Sequence, residues 1–218
     1  MSARRAWCAL AGVDAFEALQ VVVRPEGALR RAGWVGIVRF EDTLTVLVPD
    51  ERSVDIMRAA FADVSPYDAV TTAFLPPHVD TLGPADVFFA TGTIDADDVD
   101  TGTLVDIASL LDAMPPDELA ETGITDATSS LSIVHVDGAP VAACAWQEWP
   151  HGIAHLGVLT HPEHRGQGFA QRAGRHAVRH AQGTGLVPQW RARVEASKKV
   201  ARRIGLAHLA TQLSVQLD

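Results

Sequence analysis

The stretch from Leu156 to Ala170, LGVLTHPEHRGQGFA, constrains this chain more than any other. Val158 and Leu159 suit a buried strand, Pro162 ends it, and Gly166 and Gly168 keep the backbone free of Cβ atoms where a helix should begin. The first N–H groups of a helix have no internal acceptor and sit at the positive end of its dipole. A loop of this kind therefore predicts a bound anion, and a phosphate above all.

Size and charge narrow the setting of that loop. With 218 residues, 47% of them hydrophobic, the chain can build one large packed domain or two small ones. No apolar run nears the roughly 20 residues that span a bilayer. The opening MSARRAWCALAG holds too short an apolar stretch for a secretory signal, so a cytoplasmic location with no membrane partner is expected. The net charge of −9 is uneven: residues 1–150 hold 8 Lys/Arg against 24 Asp/Glu, and residues 151–218 hold 10 against 3. A local basic surface on an acidic protein suits a small polyanion, whereas a nucleic acid calls for a broader basic face.

Metal and disulfide chemistry find little support. Cys8 and Cys144 are the only cysteines, without metal-ligand spacing, and read as buried thiols. The acidic run Asp95–Asp100 fails as a calcium loop, because Val99 stands where an oxygen ligand is required and no glutamate closes it. His176 and His180 are four apart on a predicted helix and could chelate, but that segment offers no acidic third ligand, so no metal is expected.

Along the chain, spacing predicts a helix over 3–20, a short strand at Val21–Val23 and a hairpin of Trp34–Phe40 with Thr43–Val48 about Glu41-Asp42. Asp50 then caps a helix over Arg52–Val64. Pro76-Pro77 and Gly83-Pro84 break the pattern, dividing a small α/β subdomain at 1–80 from a second domain at 85–218. In the second part come a strand at Asp86–Thr91, helices at 103–113 and from Pro115, and strands at Leu131–Val136 and Pro140–Trp149 around Asp137-Gly138. A third strand at Ile153–Thr160 precedes the glycine loop, a helix at Gly168–Gln182, a strand at Leu186–Arg193 interrupted by Pro188, a helix at Glu195–Ile204 and a last strand or hairpin at Leu209–Leu217. A three-strand meander followed by alternating helices and strands implies an α/β fold with a mixed sheet and helices packed on it.

This order, with RGQGFA at the head of the central helix and Ser197-Lys-Lys-Val-Ala-Arg-Arg-Ile-Gly205-Leu206 near the end, resembles the GNAT superfamily of acyl-CoA-dependent N-acyltransferases. The Arg/Gln-x-x-Gly-x-Gly/Ala signature is met by Arg165, Gly168 and Ala170. The close resemblance covers about residues 129–218 and implies a mostly antiparallel central sheet flanked by helices, with acetyl-CoA as acyl donor. It also implies roles for residues: backbone N–H groups of Gly166, Gln167, Gly168, Phe169, Ala170 and Gln171 on the pyrophosphate, Arg165 adding charge, and Val158, Leu159 and Thr160 along the pantetheine arm.

In the family an amine enters the gap between splayed strands and attacks the thioester directly. The implied acceptor is a small-molecule or peptide amine of unspecified identity, and assembly as a homodimer is left open. Many members carry a tyrosine as thiolate acid where Ala201 stands, and an asparagine where Val194 stands; the only tyrosine here is Tyr67. Ser197 is within reach of the cofactor on this reading. Glu148, His151 and His155 are the candidate bases, with His151 also a turn residue and His155 also a core histidine. The alternative is a catalytically weak or inactive CoA-binding or regulatory module.

Overall fold

A computed structural model of the chain describes residues 1–24, 29, 32–96 and 98–218, and these fall into two compact units. One comprises Ser2–Val87, Ala192–Val194 and His208–Asp218; the other comprises Met1, Phe88–Arg191 and Glu195–Ala207.

In the first unit, α1 (Ala3–Ala11) begins where the Ser2 hydroxyl accepts the Arg5 N–H and ends at Gly12, whose φ of 67° is left-handed. The apolar spacing would carry this helix to residue 20, but a backbone conformation that favours glycine turns the chain out nine residues earlier. The strands are β1 (Leu19–Val23), β2 (Val35–Phe40), β3 (Thr43–Val48), β4 (His78–Phe89) and, from the end of the chain, β10 (Ala207–Leu217), in the spatial order β1-β3-β2-β10-β4. The expected β2–β3 hairpin forms, turning through Glu41 at φ 53°. Asp50 starts α2 (Arg52–Phe61): its Oδ1 accepts the Ser53 N–H and hydroxyl, each at 3.0 Å, and these bonds hold its carboxyl below the usual range. Val54, Met57 and Phe61 of α2 enter a core with Val35, Ile37, Val46, Leu213 and Val215.

Gly83-Pro84, a predicted break, lies inside β4 instead. A Cβ at Gly83 would stand 2.9 Å from the Gln212 carbonyl, so glycine here serves close backbone approach between neighbouring strands.

The second unit opens with β5 (Asp100–Gly102), a 3-10 turn at Leu104–Ile107, α3 (Ala108–Asp112) and α4 (Pro116–Thr122). The meander follows as β6 (Leu131–Val136), β7 (Ala139–Trp149) and β8 (Ile153–Thr160), then α5 (Phe169–Gly183), β9 (Val187–Ala192) and α6 (Glu195–Ile204). The strand order is β9-β8-β7-β6-β5. Asp137 and Gly138, at φ 51° and 81°, make the tight turn that their sequence predicts. Pro188 does not interrupt β9; it sits within the strand opposite Ala154. Among the paired strands described, β1–β3 and β8–β9 run parallel and the others antiparallel, which is the mixed, mostly antiparallel α/β sheet expected.

Side-chain alternation gives the second unit's sheet two different faces. On one, Ala143, Ala145, Leu159, Leu131 and Ile133 pack with Ile107, Leu110 and Met114 of the α3 segment and with Ile124. On the other lies α5, whose Ala173, Gly174, Ala177 and Ala181 are buried. A Cβ at Gly174 would stand 2.6 Å from Ile204 and 3.2 Å from Trp190, so the small residues let helix and sheet approach.

Candidate functional site

The loop between β8 and α5 has the form its glycines predict. Gly166 and Gly168 take φ values of 79° and 88°, and a Cβ on either would meet nothing within 4 Å. Their freedom is thus spent on backbone direction, not on packing. Gly168 caps α5 with no side-chain bond to the helix start. The N–H groups of Gly166, Gln167, Gly168, Phe169 and Ala170 find no acceptor among the described residues, whereas that of Gln171 donates to the Gly168 carbonyl at 3.0 Å. Five donors without an acceptor among the described residues, next to the positive end of a 15-residue helix, form a loop able to cradle an anion, with Gln171 the least available of the residues expected there. Arg165 is anchored beside it: its Nη2 meets Glu118 of α4 at 2.6 Å, and its Nε reaches the Thr160 carbonyl at 3.5 Å. It braces the loop against α4 while lending its charge.

The strand leading into the loop parts from its neighbour. β8 and β9 are in register from Ile153↔Val187 to Leu156↔Trp190, and the pairing stops there. Gly157 to Thr160 keep their β7 partners only. The His161 N–H donates to Val141 of β7 at 2.8 Å, and the Val187 N–H of β9 reaches the Gly152 carbonyl at 2.8 Å. By alternation, the backbone groups of Val158 and Thr160 face the gap that β9 has left, and those of Leu159 face β7. An extended ligand lying in the gap would thus meet Val158 and Thr160 as a neighbouring strand would. Leu159 itself is buried under the α3 segment.

The candidate catalytic groups do not converge. Glu148 pairs with Ala154 while Gln147 pairs with His155, so Glu148 and His155 project from opposite faces. Glu148 is exposed, in a hollow of about 370 Å³ that it shares with Thr128, Ser129, Trp146, Thr184 and Leu186. His151 occupies the β7–β8 turn at φ 63°. Ser197 opens α6, where its Oγ accepts the Trp190 indole N–H at 3.0 Å and leaves its own proton to donate elsewhere. Ala201 is fully buried.

His155 lies in a polar group that its neighbours along the chain do not reveal. Its ring stacks on Trp149 with centroids 4.2 Å apart, its Nδ1 meets Gln189 Nε2 at 3.0 Å, and the Arg191 guanidinium lies 5.9 Å from the Trp149 ring centre. Burial, then the Arg191 charge, pushes its pKa down to about 3. The ring is neutral at physiological pH, and a base so weak is poorly suited to accept the ammonium proton. The shift also sets a stability slope: below pH 6.5 the unfolded chain takes up a proton that the folded chain refuses, so stability falls as pH drops toward 3. Allowing for partial exposure, the loss is about 2 kcal/mol by pH 4. Chemical denaturation at pH 7 and pH 4 should show that difference shrink by about this amount in His155→Gln; an unchanged difference would refute the assignment.

Elsewhere the candidates resolve into structure. Cys8 and Cys144 are buried free thiols, with burial raising the pKa of each. Among the described residues no group of three His, Cys, Asp or Glu side chains could hold a metal ion. His176 is tied to Ser132 at 2.9 Å, and His180 meets the Trp146 ring edge-on. Of the acidic run, Asp100 pairs with His135 at 2.8 Å, and Asp97 lies outside the described residues. No described helix is long and apolar enough to cross a membrane.

Comparison with known proteins shows what this geometry is similar to. A putative GNAT-family acetyltransferase from Novosphingobium aromaticivorans superposes with a TM-score of 0.51 at 20% identity, over 66% of this chain and 70% of its own. A GNAT-family acetyltransferase from Colwellia psychrerythraea gives 0.49 at 16%, over 65% and 59%, and a GCN5-related N-acetyltransferase from Kribbella flavida gives 0.48 at 19%, over 64% and 60%. At these identities the likeness concerns the fold, and only the first superposition is close enough to carry weight. No curated protein sequence matches the chain. The family model for GNAT acetyltransferases matches residues 132–211, from β6 to within β10, and so takes in the glycine loop, the parted strands and α6. Over residues 132–211 the chain is therefore similar to GNAT acetyltransferases, in sequence pattern by the family model and in fold by the first superposition.

Proposed function

We propose that the chain transfers an acetyl group from acetyl-CoA to a primary amine by direct attack. The observation that carries this reading is the open loop of five N–H groups at Gly166–Ala170 with no acceptor among the described residues, directly beyond a strand that has parted from β9. The cradle fits a pyrophosphate, which needs several convergent donors and room for no side chain. The Val158 and Thr160 backbone fits the amides of the pantetheine arm, and on this reading the Val158 N–H, which faces the gap, is the donor for a thioester oxygen gaining charge. The Ser197 hydroxyl, held by Trp190, is the proton donor available to the departing sulfur. A thiol pKa near 8.5 makes that sulfur a fair leaving group with this modest help. The amine's proton passes to solvent, since His155 is too weak a base and Glu148 faces the other side of the sheet. Two buried, unpaired thiols fit a reducing compartment, and the reading places the protein in the cytoplasm.

Fully buried Ala201, standing where a tyrosine acid is common in the family, favours a second reading: a module that binds CoA and turns it over poorly. Calorimetry with acetyl-CoA, followed by thiol release over a panel of amines, separates the two. Binding with amine-dependent thiol release supports the enzyme, binding without it supports the module, and absence of binding refutes both.

A further inference from the structure

We propose that Trp190 is a positioning residue, whose buried indole N–H fixes the Ser197 hydroxyl so that its proton is free for the departing sulfur; this rests on the transferase reading above and deepens it. Trp190 closes the paired part of β9, opposite Leu156 of β8. Two residues further along β8, on the same face by alternation, stands Val158, whose backbone faces the gap that β9 has left. Trp190 thus sits at the fork to which the acyl group would be delivered, on the face that bears α5.

The ring is held from more than one side. Trp190 is 1% exposed, and a Cβ added at Gly174 of α5 would stand 3.2 Å from the edge of its six-membered ring. The same added atom would stand 2.6 Å from Ile204, the last residue of α6, so α5, α6 and the ring meet at one point. A side chain packed this closely has no room to turn. Its indole N–H can only donate, and burial makes a missing acceptor costly. The acceptor is Ser197 Oγ at 3.0 Å, in the first turn of α6.

That bond decides what the hydroxyl can do. A serine hydroxyl is a rotor with one proton and two lone pairs, and left alone it samples several directions. Here a rigid donor takes one lone pair, which keeps the proton off the side facing Trp190, and the proton has no acceptor among the described residues. In the transfer step the amine nitrogen bonds to the carbonyl carbon and the carbon–sulfur bond breaks with its electron pair on sulfur. The Ser197 proton moves onto that sulfur, water returns a proton to the serine oxygen, and the amine's proton goes to solvent, so the protons balance. The indole N–H stabilises the charge that builds on the serine oxygen as its proton leaves.

The test follows thiol release from acetyl-CoA with phenethylamine, ethanolamine or L-alanine, whichever the wild type acetylates fastest. Trp190→Phe keeps an aromatic ring without the N–H, and kcat should fall about five- to tenfold with the KM for acetyl-CoA within about twofold of wild type. Ser197→Ala should fall at least as far. Adding Trp190→Phe to it should then lower kcat by less than about twofold more, because the indole acts through the hydroxyl. A ring that only fills space costs the same in both backgrounds. With the selenoester analogue of acetyl-CoA, whose selenolate leaves without needing a proton, both single losses should shrink to within about twofold. Calorimetry with acetyl-CoA reports whether each variant folds. Should Trp190→Phe fail that check, 3-benzothienylalanine at position 190 keeps the ring shape with sulfur in place of the N–H and should give the same loss. Equal losses with and without the hydroxyl, wild-type kcat in Ser197→Ala or after removal of the N–H, or losses undiminished with the selenoester would overturn the proposal and leave the transferase reading standing. Wild-type protein that binds acetyl-CoA and releases thiol with none of the amines would overturn it in favour of the CoA-binding module. Failure to bind acetyl-CoA would bring down the transferase reading itself.

Discussion

Gly168→Asp is expected to weaken acetyl-CoA binding at least a hundredfold while lowering the melting temperature by no more than about 5 °C. Gly168 is the cap residue of α5, at φ 88° and ψ 1°, with nothing within 4 Å of an added Cβ. The substitution therefore clashes with no part of the protein. Its structural cost is the left-handed backbone, about 1–2 kcal/mol for a residue with a side chain, partly offset by a carboxylate at a helix N-terminus, which contributes about 0.3–1 kcal/mol.

Its cost to the ligand is larger. The side chain enters the space that the free N–H groups face, and two like charges about 4 Å apart near a protein surface repel by about 4 kcal/mol. A hundredfold loss needs only about 2.7 kcal/mol of that. Gly168→Ala is the control, since it shares the strain without the charge and should bind several-fold more tightly than the aspartate. Calorimetry and thermal melting on the three proteins decide the matter; wild-type affinity in Gly168→Asp would move the phosphate site away from this loop.

Gly157→Ala should cost about 3 kcal/mol of stability, at the upper end of overpacking penalties, and lower the melting temperature by about 6–12 °C. The backbone of Gly157 is not left-handed, so glycine is not there for its conformation. A Cβ would collide with the Thr122 carbonyl at the end of α4 and lie 3.2 Å from the Ile124 nitrogen. These are backbone atoms, with no rotamer to yield, so either β8 or the turn after α4 must shift. Either shift reaches the cradle, because α4 also carries Glu118, the partner of Arg165. The variant should therefore bind acetyl-CoA several-fold more weakly besides melting earlier. Melting within 2 °C of the wild type would show that α4 does not press on this strand.

Some of these features could be read from residues close together in the chain. The cradle is one: Gly166 and Gly168 ahead of a small-residue helix specify direction, openness and dipole within one loop, and the family pattern extends that reading to the flanking strands. The Asp137-Gly138 turn and the Asp50 cap are likewise local, since each is a side chain or a φ preference acting within three residues. Local rules misjudged α1, where apolar spacing continues beyond Gly12, and β4, where Gly83-Pro84 serves a neighbouring strand.

The chemistry beside the cradle was less readable, because it depends on register. His155 was visible as a titratable group on a strand. Its stacking on Trp149, its bond to Gln189 and its proximity to Arg191 follow from how β7, β8 and β9 align, and a slip of one residue would send each side chain to the opposite face. The same register separates Glu148 from His155, although both lie near the ends of adjacent strands.

The sequence alone specified the glycine loop, with Gly166 and Gly168 at positive φ, and the helix it heads, for a physical reason: φ preferences, dipoles and caps act between residues a few positions apart. Only the tertiary structure decided where β8 and β9 part, which side chains share a face at that point, and that the residue there needing no Cβ, Gly157, answers to a carbonyl 35 positions away, at Thr122. Contacts across strands are formed by packing and register, which no short stretch of chain encodes.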